Sequence, residues 1–407
     1  MNITTPQFIW KKPKITGRIP RPRHGHSAIC YNNSMIIFGG TNIITDKSLK
    51  DVHVLDLTTW KWTKPKVTGQ VPSPRSYHTA VLYQDKMLVW GGYKELISSS
   101  FKFNDVYLHI LDLKTWRWSK MTPMGTLPEA RSHHSAVIFQ DKLIIHGGAY
   151  DIYASFNDLY ILDLRKKRWL PVELELCHPV ALPGLKVHGN TLIRFFGDGA
   201  YQGFCSDVLT LDLTNLDFTK PLKLSFQPAN FQAIENYSYK VPIPPDASGD
   251  EEEMEDDYFD DDEEDIEDDY LGDDEEDEDI EDDYLDDDEE IVDFGDGIPY
   301  RTIHSYGEFG NNLVLYAGVA PGNGVSHATI NDLVMLHLPS HDEANTGTYT
   351  GLIPQVEGQF PPPRFGHSTI QFHQQMIIFG GIWLDTYCGN HQHDNDVYIL
   401  ESLEKVL

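Results

Sequence analysis

Short apolar segments recur along this chain in two styles. Segments of the first style alternate with polar or small residues and stop at a polar pair such as Asn32-Asn33 or Gln84-Asp85, the pattern of a half-buried strand entering a hairpin turn. Those of the second style, MIIF and MLVW, are apolar throughout and run into Gly-Gly, as expected of a strand covered on both faces by neighbouring sheets. A third segment follows an Asp, in DVHVLDL, DVYLHILDL and DLYILDL, and a fourth carries Trp60 and Trp62, Trp116 and Trp118, or Trp169. Each period therefore predicts four β-strands.

Aligned on the double glycines, PRHGHSAICYNNSMIIFGG, PRSYHTAVLYQDKMLVWGG, ARSHHSAVIFQDKLIIHGG and PRFGHSTIQFHQQMIIFGG are four copies of one unit. Two degenerate copies lie between them: His178 to Phe218 keeps LIRFFGDG and DVLTLDL, with Phe218 where Trp is expected, and Arg301 to Leu338 keeps RTIH, LVLYAG and NDLVMLHL. Sheets repeated at this period cannot bury their faces alone and stack radially, which predicts an all-β, six-bladed β-propeller. The last unit stops at DVYIL without a Trp strand, while the N-terminus opens with FIWKK. Residues near Phe8 to Lys12 are therefore expected to close the ring by pairing with the blade that ends at Leu400. The implied division is 1–20 as the closing strand, 21–218 as blades one to four, 219–300 as an insertion, 301–338 as blade five and 362–407 as blade six.

The combination Arg-x-x-His, Gly-Gly, a following Asp and a terminal Trp resembles the kelch repeat over nearly the whole chain outside 219–300. No BTB-like, F-box-like or coiled-coil segment flanks the ring. That resemblance implies the propeller but little about function, since kelch rings serve as actin binders, ubiquitin-ligase substrate receptors, scaffolds and a few enzymes. The enzymatic alternative it leaves open is a sugar mutarotase or a metal-dependent lyase.

Arg23 with His26, Arg75 with His78, Arg131 with His134, Arg301 with His304 and Arg364 with His367 resemble repeated acid/base pairs. They recur with the blades, however, whereas catalytic groups converge once on one site, so their expected role is architectural and no catalytic residue is assigned. The glycine pairs lack any phosphate-loop context and are expected to supply φ > 0 or space at the end of the second strand. His391, His393, Asp394 and Asp396 form the one cluster with metal-like spacing, but Asp396 occupies the ordinary third-strand position. No metal or cofactor is therefore assigned.

Charge divides the chain into two parts. The run 250–290 holds 31 of the 63 acidic residues and no Lys or Arg, leaving 32 acidic residues against 32 basic ones elsewhere, so the net charge of −31 is local. Such a run repels itself and is expected to be disordered. Within it Tyr258, Tyr270 and Tyr284 recur at similar spacing with Phe259, Leu271 and Leu285 beside them. Capture of basic proteins such as histones or ribosomal proteins, gating of the ring, and simple solubilisation all fit this composition; direct nucleic-acid binding does not. Four widely spaced cysteines and the lack of an apolar leader or spanning run fit a monomer in a reducing compartment, cytoplasmic and also nuclear, without membrane insertion.

In a four-stranded blade, the entry into the first strand and the loop after the second open on one face. Residues after each motif Arg (His24, Ser76, Tyr77, Ser132, His133, Phe365) and after each Gly-Gly (Asn42, Tyr93, Lys94, Tyr150, Tyr201, Trp383) are expected to ring one mouth of the channel. Their mixture of aromatic and polar types fits a protein- or peptide-binding surface. The expected function is thus a non-catalytic interaction scaffold, assisted by the acidic arm.

Overall fold

Every polar pair that ends a first strand closes a tight hairpin. Asn32, Gln84, Gln140 and His373 take φ values of 52–55° there, the left-handed conformation such turns require. The computed structural model describes residues 7–403 apart from 98–99, 104, 152–153, 176–177, 199–206, 215, 233–237, 241–290, 294–303, 321–327, 341–346, 385–390 and 393–394. Among the described residues every regular element is a strand. The acidic run 250–290 lies outside them.

Six antiparallel blades stand around one axis. Their inner strands are Ser27–Tyr31, Thr79–Tyr83, Ser135–Phe139, Gly184–His188, Ser305–Phe309 and Ser368–Phe372, and the last returns to lie beside the first. The apolar second strands are buried along their length: Met35, Ile36, Ile37 and Phe38 are all at or below 1% exposure, because a neighbouring blade covers each face.

The ring closes with its N-terminal strand. Gln7–Lys11 runs antiparallel to Val397–Ser402, with Trp10 opposite Leu400, and parallel to Gln355–Gly358. The second pairing is general. After leaving its outer strand the chain lies parallel on the outer strand of the next blade, as Thr16–Gly17 does on Lys61–Thr63 and Thr68–Gly69 on Arg117–Met121. Each blade is thereby latched to its successor by backbone hydrogen bonds as well as by packing.

Aromatic pairs complete the contact between blades. Trp62 packs on Phe379, Trp118 on Phe38 and Trp10 on Tyr316 at 4.9–5.0 Å between ring centroids, and Trp169 on Trp90 at 6.2 Å. In each case an outer-strand Trp covers an aromatic residue of the second strand of the preceding blade. Edge-on and tilted pairs of this kind stabilise by about 0.5–1.5 kcal/mol beyond the area they bury.

The two degenerate blades depart from the sequence expectation. Phe218 is not the Trp counterpart of blade four, because the outer strand lies beyond it at Leu222–Ser225 and Gln227–Pro228. There Phe226, 6% exposed, packs on His146 of blade three. Blade five likewise continues past 338, through an outer strand at Thr348–Leu352 that brings Tyr349 into the cluster with Phe195 and Phe196. Residues 222–232 and 348–358 thus belong to the ring. Lacking Trp, both strands were hidden from a search for that residue.

Candidate functional site

Three layers of the Arg-x-x-His motif build one mouth of the channel. In the outer layer the motif Arg folds inward: Arg23, Arg75, Arg131 and Arg364 donate from Nη1 to the carbonyls of Gly39, Gly91, Gly147 and Gly380 at 2.8–3.0 Å. Arg23 also forks onto Asp51, and Arg131 onto Asp158. All four guanidinium groups are at most 1% exposed. Burial pushes the Asp51 carboxyl up, but the charge of Arg23 and the hydrogen bond from His53 hold it well below the usual carboxylate range. In blades one and three the motif thus joins Arg, the glycine carbonyl and the Asp before the third strand, and the architectural reading holds for these four arginines; Arg301 lies outside the described residues.

The histidine layer links neighbouring blades. Nε2 of His78 meets Ser27 Oγ at 2.8 Å, Nε2 of His134 meets Thr79 Oγ1 at 2.8 Å, Nε2 of His367 meets Ser305 Oγ at 2.6 Å and Nε2 of His26 meets Ser368 Oγ at 2.7 Å. The hydroxyl after one motif His therefore bonds the His of the following blade. Burial first, then the neighbouring buried arginine, holds all four imidazoles neutral, with pKa values well below the ordinary 6.5. Below this layer the channel continues as a cavity of about 380 Å³ lined by Thr79, Ser135, Ser305 and Thr369 among others.

Between Arg and His lies the layer that faces the mouth. Gly25 N donates to Gly366 O at 2.7 Å, Tyr77 N to Gly25 O at 2.7 Å, His133 N to Tyr77 O at 3.0 Å and Leu182 N to His133 O at 2.6 Å. This belt of hydrogen bonds passes from blade to blade, and each member is left-handed, with φ between 50° and 65°. For Gly25 and Gly366 that conformation is free. For Tyr77, His133 and Leu182 it is uncommon and is sustained by the belt.

The glycines make room for one tyrosine. A Cβ on Gly25 would come within 2.9 Å of the Tyr77 ring, and one on Gly366 within 3.1 Å of its hydroxyl. That hydroxyl meets His24 Nδ1 at 3.1 Å. The His133 ring stacks on Tyr77 at 4.1 Å, and Tyr93 lies nearly parallel to both at 5.9 Å. Burial pushes the phenols of Tyr77 and Tyr93 up, and it lowers His133, with a contribution from His24, to about 3. At neutral pH the cluster is therefore three uncharged, half-buried rings.

Not every expected mouth residue is presented. Ser76 and Ser132 are fully buried and Asn42 is 2% exposed, so these three are corrected to structural positions. The residue after each motif Arg forms an antiparallel bridge to the segment after Gly-Gly, as in Ser76 with Tyr93 and Ser132 with Ala149, and a small side chain there is enclosed. Asn42 is occupied in accepting from Ile44 N. His24 and Phe365 are half-buried, while Lys94 and Tyr150 are exposed. The Trp383 backbone pairs with Gln392. Tyr201, Tyr258, Tyr270 and Tyr284 lie outside the described residues, as do His393 and Asp394; Asp396 forms an ion pair with Lys12, just after the closing strand. Sequence reasoning missed Leu182, whose blade has Val180 where the motif Arg should stand. It also missed the cradle of Gly25 and Gly366, although Gly at that position in blades one and six, beside Tyr in blade two, was a visible signal.

A family model described as the KLHDC2/KLHL20/DRC7 Kelch-repeats domain matches residues 1–182 and 98–233. The chain belongs to the kelch-repeat family. Among curated kelch relatives, Kelch domain-containing protein 3 of Bos taurus is 31% identical over 169 residues, 40% of this chain and 44% of that protein. Host cell factor 2 of Homo sapiens is 36% identical over 163 residues, 35% and 20% of the respective chains. Acyl-CoA-binding domain-containing protein 4 of Arabidopsis thaliana is 27% identical over 224 residues, 52% and 32%. The matched stretch spans less than half the length of each of these relatives. The solved structure of YjhT has a TM-score of 0.57 over 94% of this chain and 98% of that one, at 14% identity, a likeness of fold alone.

Proposed function

We propose that this kelch propeller is a non-catalytic interaction protein that binds a protein or peptide across its loop-bearing face, with the acidic run 250–290 helping to capture basic partners. The observation that carries the reading is the stack of Tyr77, His133 and Tyr93 at the mouth. Two of these rings are held by left-handed backbone, a conformation the fold sustains at a cost, and aromatic anchors in a polar surround are typical of interface centres. Tyr150, 47% exposed, extends the aromatic character outward. The acidic run interrupts the connection from blade four to blade five, and the corresponding connections into blades one, two, three, four and six reach their inner strands through the mouth-facing belt, which supports the same placement here. Its charge would steer a basic partner toward this face over roughly a Debye length of about 8 Å.

Affinity capture with the intact chain, the chain lacking 250–290, and a Tyr93→Ala/Tyr150→Ala/Trp383→Ala variant tests this reading. Different partners should be lost from the two altered proteins. Recovery of one unchanged set of partners by all three would refute it.

A further inference from the structure

We infer that the mouth takes a cationic side chain, a Lys or Arg of a basic peptide, laid against the rings of Tyr77, His133 and Tyr93 with Asp46 as counter-charge. The inference rests on the reading of this face as a peptide-binding surface and names the chemistry of its ligand. Aromatic faces carry the negative end of a quadrupole, and a cation within about 6 Å of a ring centroid is attracted to it. Tyr77 and His133 stack face to face at 4.1 Å with Tyr93 nearly parallel at 5.9 Å from both, so a cation would lie against the faces that the rings do not turn to one another.

The charges around the rings favour the same sign of ligand. The motif arginines offer nothing to an acidic ligand, because Arg23, Arg75, Arg131 and Arg364 are turned inward and committed to glycine carbonyls. His133 is neutral at physiological pH, so the slab does not repel a cation. Asp46 is exposed in the adjacent loop of blade one, and its charge is felt at the Tyr93 hydroxyl. Lys94 is the competing charge. It is exposed beside Tyr93 on a strand whose backbone is tied to blade one through Ser48 Oγ and Lys94 O at 2.6 Å. The net charge of −31 draws a basic peptide toward the whole molecule, and the rings supply the contact that survives screening.

The test is an NMR titration of the full chain, labelled on its tyrosine rings and assigned through Tyr77→Phe and Tyr93→Phe. The probes are a nonapeptide of alternating Lys and Ser, its norleucine counterpart and its Glu counterpart, all in 0.5 M salt to suppress binding by the acidic run. The Lys peptide should shift the Tyr77 and Tyr93 signals saturably, at least threefold more tightly than the norleucine peptide, and the Glu peptide should leave them unmoved. Asp46→Asn, at an exposed site where folding is not at stake, should weaken the Lys peptide about threefold. Equal binding of norleucine or Glu peptides at these rings overturns the cation preference but leaves the peptide-binding reading intact. If no peptide moves either ring, the inference fails, and affinity capture then decides separately whether the face binds protein at all.

Discussion

Trp10 meets Tyr316 edge to face, with ring centroids 5.0 Å apart, so the first strand of the chain seals blade six against blade five. Both side chains are at most 1% exposed. Trp10→Ala should cost about 3–5 kcal/mol, as deletion of a buried aromatic does. Removal of residues 1–14 should lower the melting temperature sharply, because both the Val397–Ser402 and the Gln355–Gly358 pairings are lost with it. Calorimetry of the two variants measures the clasp, and an unchanged melt would show that it does not hold the ring.

The indole nitrogens of Trp10, Trp62, Trp118 and Trp169 are buried without an acceptor among the described residues. These positions are filled for shape and apolar area, and blades four and five already use Phe226 and Tyr349 there. Trp62→Phe is thus expected to cost less than half of what Trp62→Ala costs, since the smaller ring keeps contact with Phe379. Paired urea melts decide the matter, and equal losses would show that the indole N–H has a role.

Arg23 forks onto Asp51 and also donates to the carbonyls of Gly39 and Arg21. Arg23→Ala leaves the Gly39 carbonyl without this donor and the carboxylate with His53 alone, and should destabilise by about 3–5 kcal/mol. Arg23→Lys should recover only part of this, because an ammonium cannot make the planar two-point contact. The order Ala below Lys below wild type in denaturant midpoint is the expected result.

Four histidines are held neutral in the native state, whereas in the unfolded chain they titrate near 6.5. Below that pH the unfolded state binds protons that the native state excludes. Stability should therefore fall as pH falls, by about 1.4 kcal/mol per unit for each such histidine. Urea midpoints between pH 7.5 and 5.5 should drop steeply, and the drop should be shallower in His78→Gln, which can still reach Ser27 Oγ.

Gly92 and Gly310 are both left-handed, at φ 87° and 63°, but only Gly92 is crowded. A Cβ at Gly92 would lie 2.8 Å from Ser76 O, while one at Gly310 meets nothing within 4 Å. Gly310→Ala should cost about 1 kcal/mol, the conformational penalty alone, and Gly92→Ala distinctly more. Comparable losses in the two variants would mean that the bridge between Ser76 and Tyr93 yields freely.

Much of the ring was legible in the sequence because each blade repeats its chemistry. The alternating strand, the apolar strand, the Asp and the Trp recur in order, and FIWKK at one end supplied what DVYIL lacked at the other. The mouth was legible only in part. Position after the motif Arg pointed to the right loops, yet Ser76 and Ser132 turned inward while Tyr77 and His133 turned outward, a choice set by the bridge and the belt between blades. Phe226 escaped notice because its identity as a Trp substitute depends on His146 beneath it.

The chain by itself determined the number of blades, the strand order of the four regular ones and the closure of the ring, since these follow from local periodicity and from which strand is missing. Only the tertiary structure decided which side chains face the mouth and stack there. Those neighbours belong to different blades, and their meeting depends on how wide the ring closes and on the room that Gly25 and Gly366, lacking a Cβ, leave to the Tyr77 ring, neither of which any one repeat encodes.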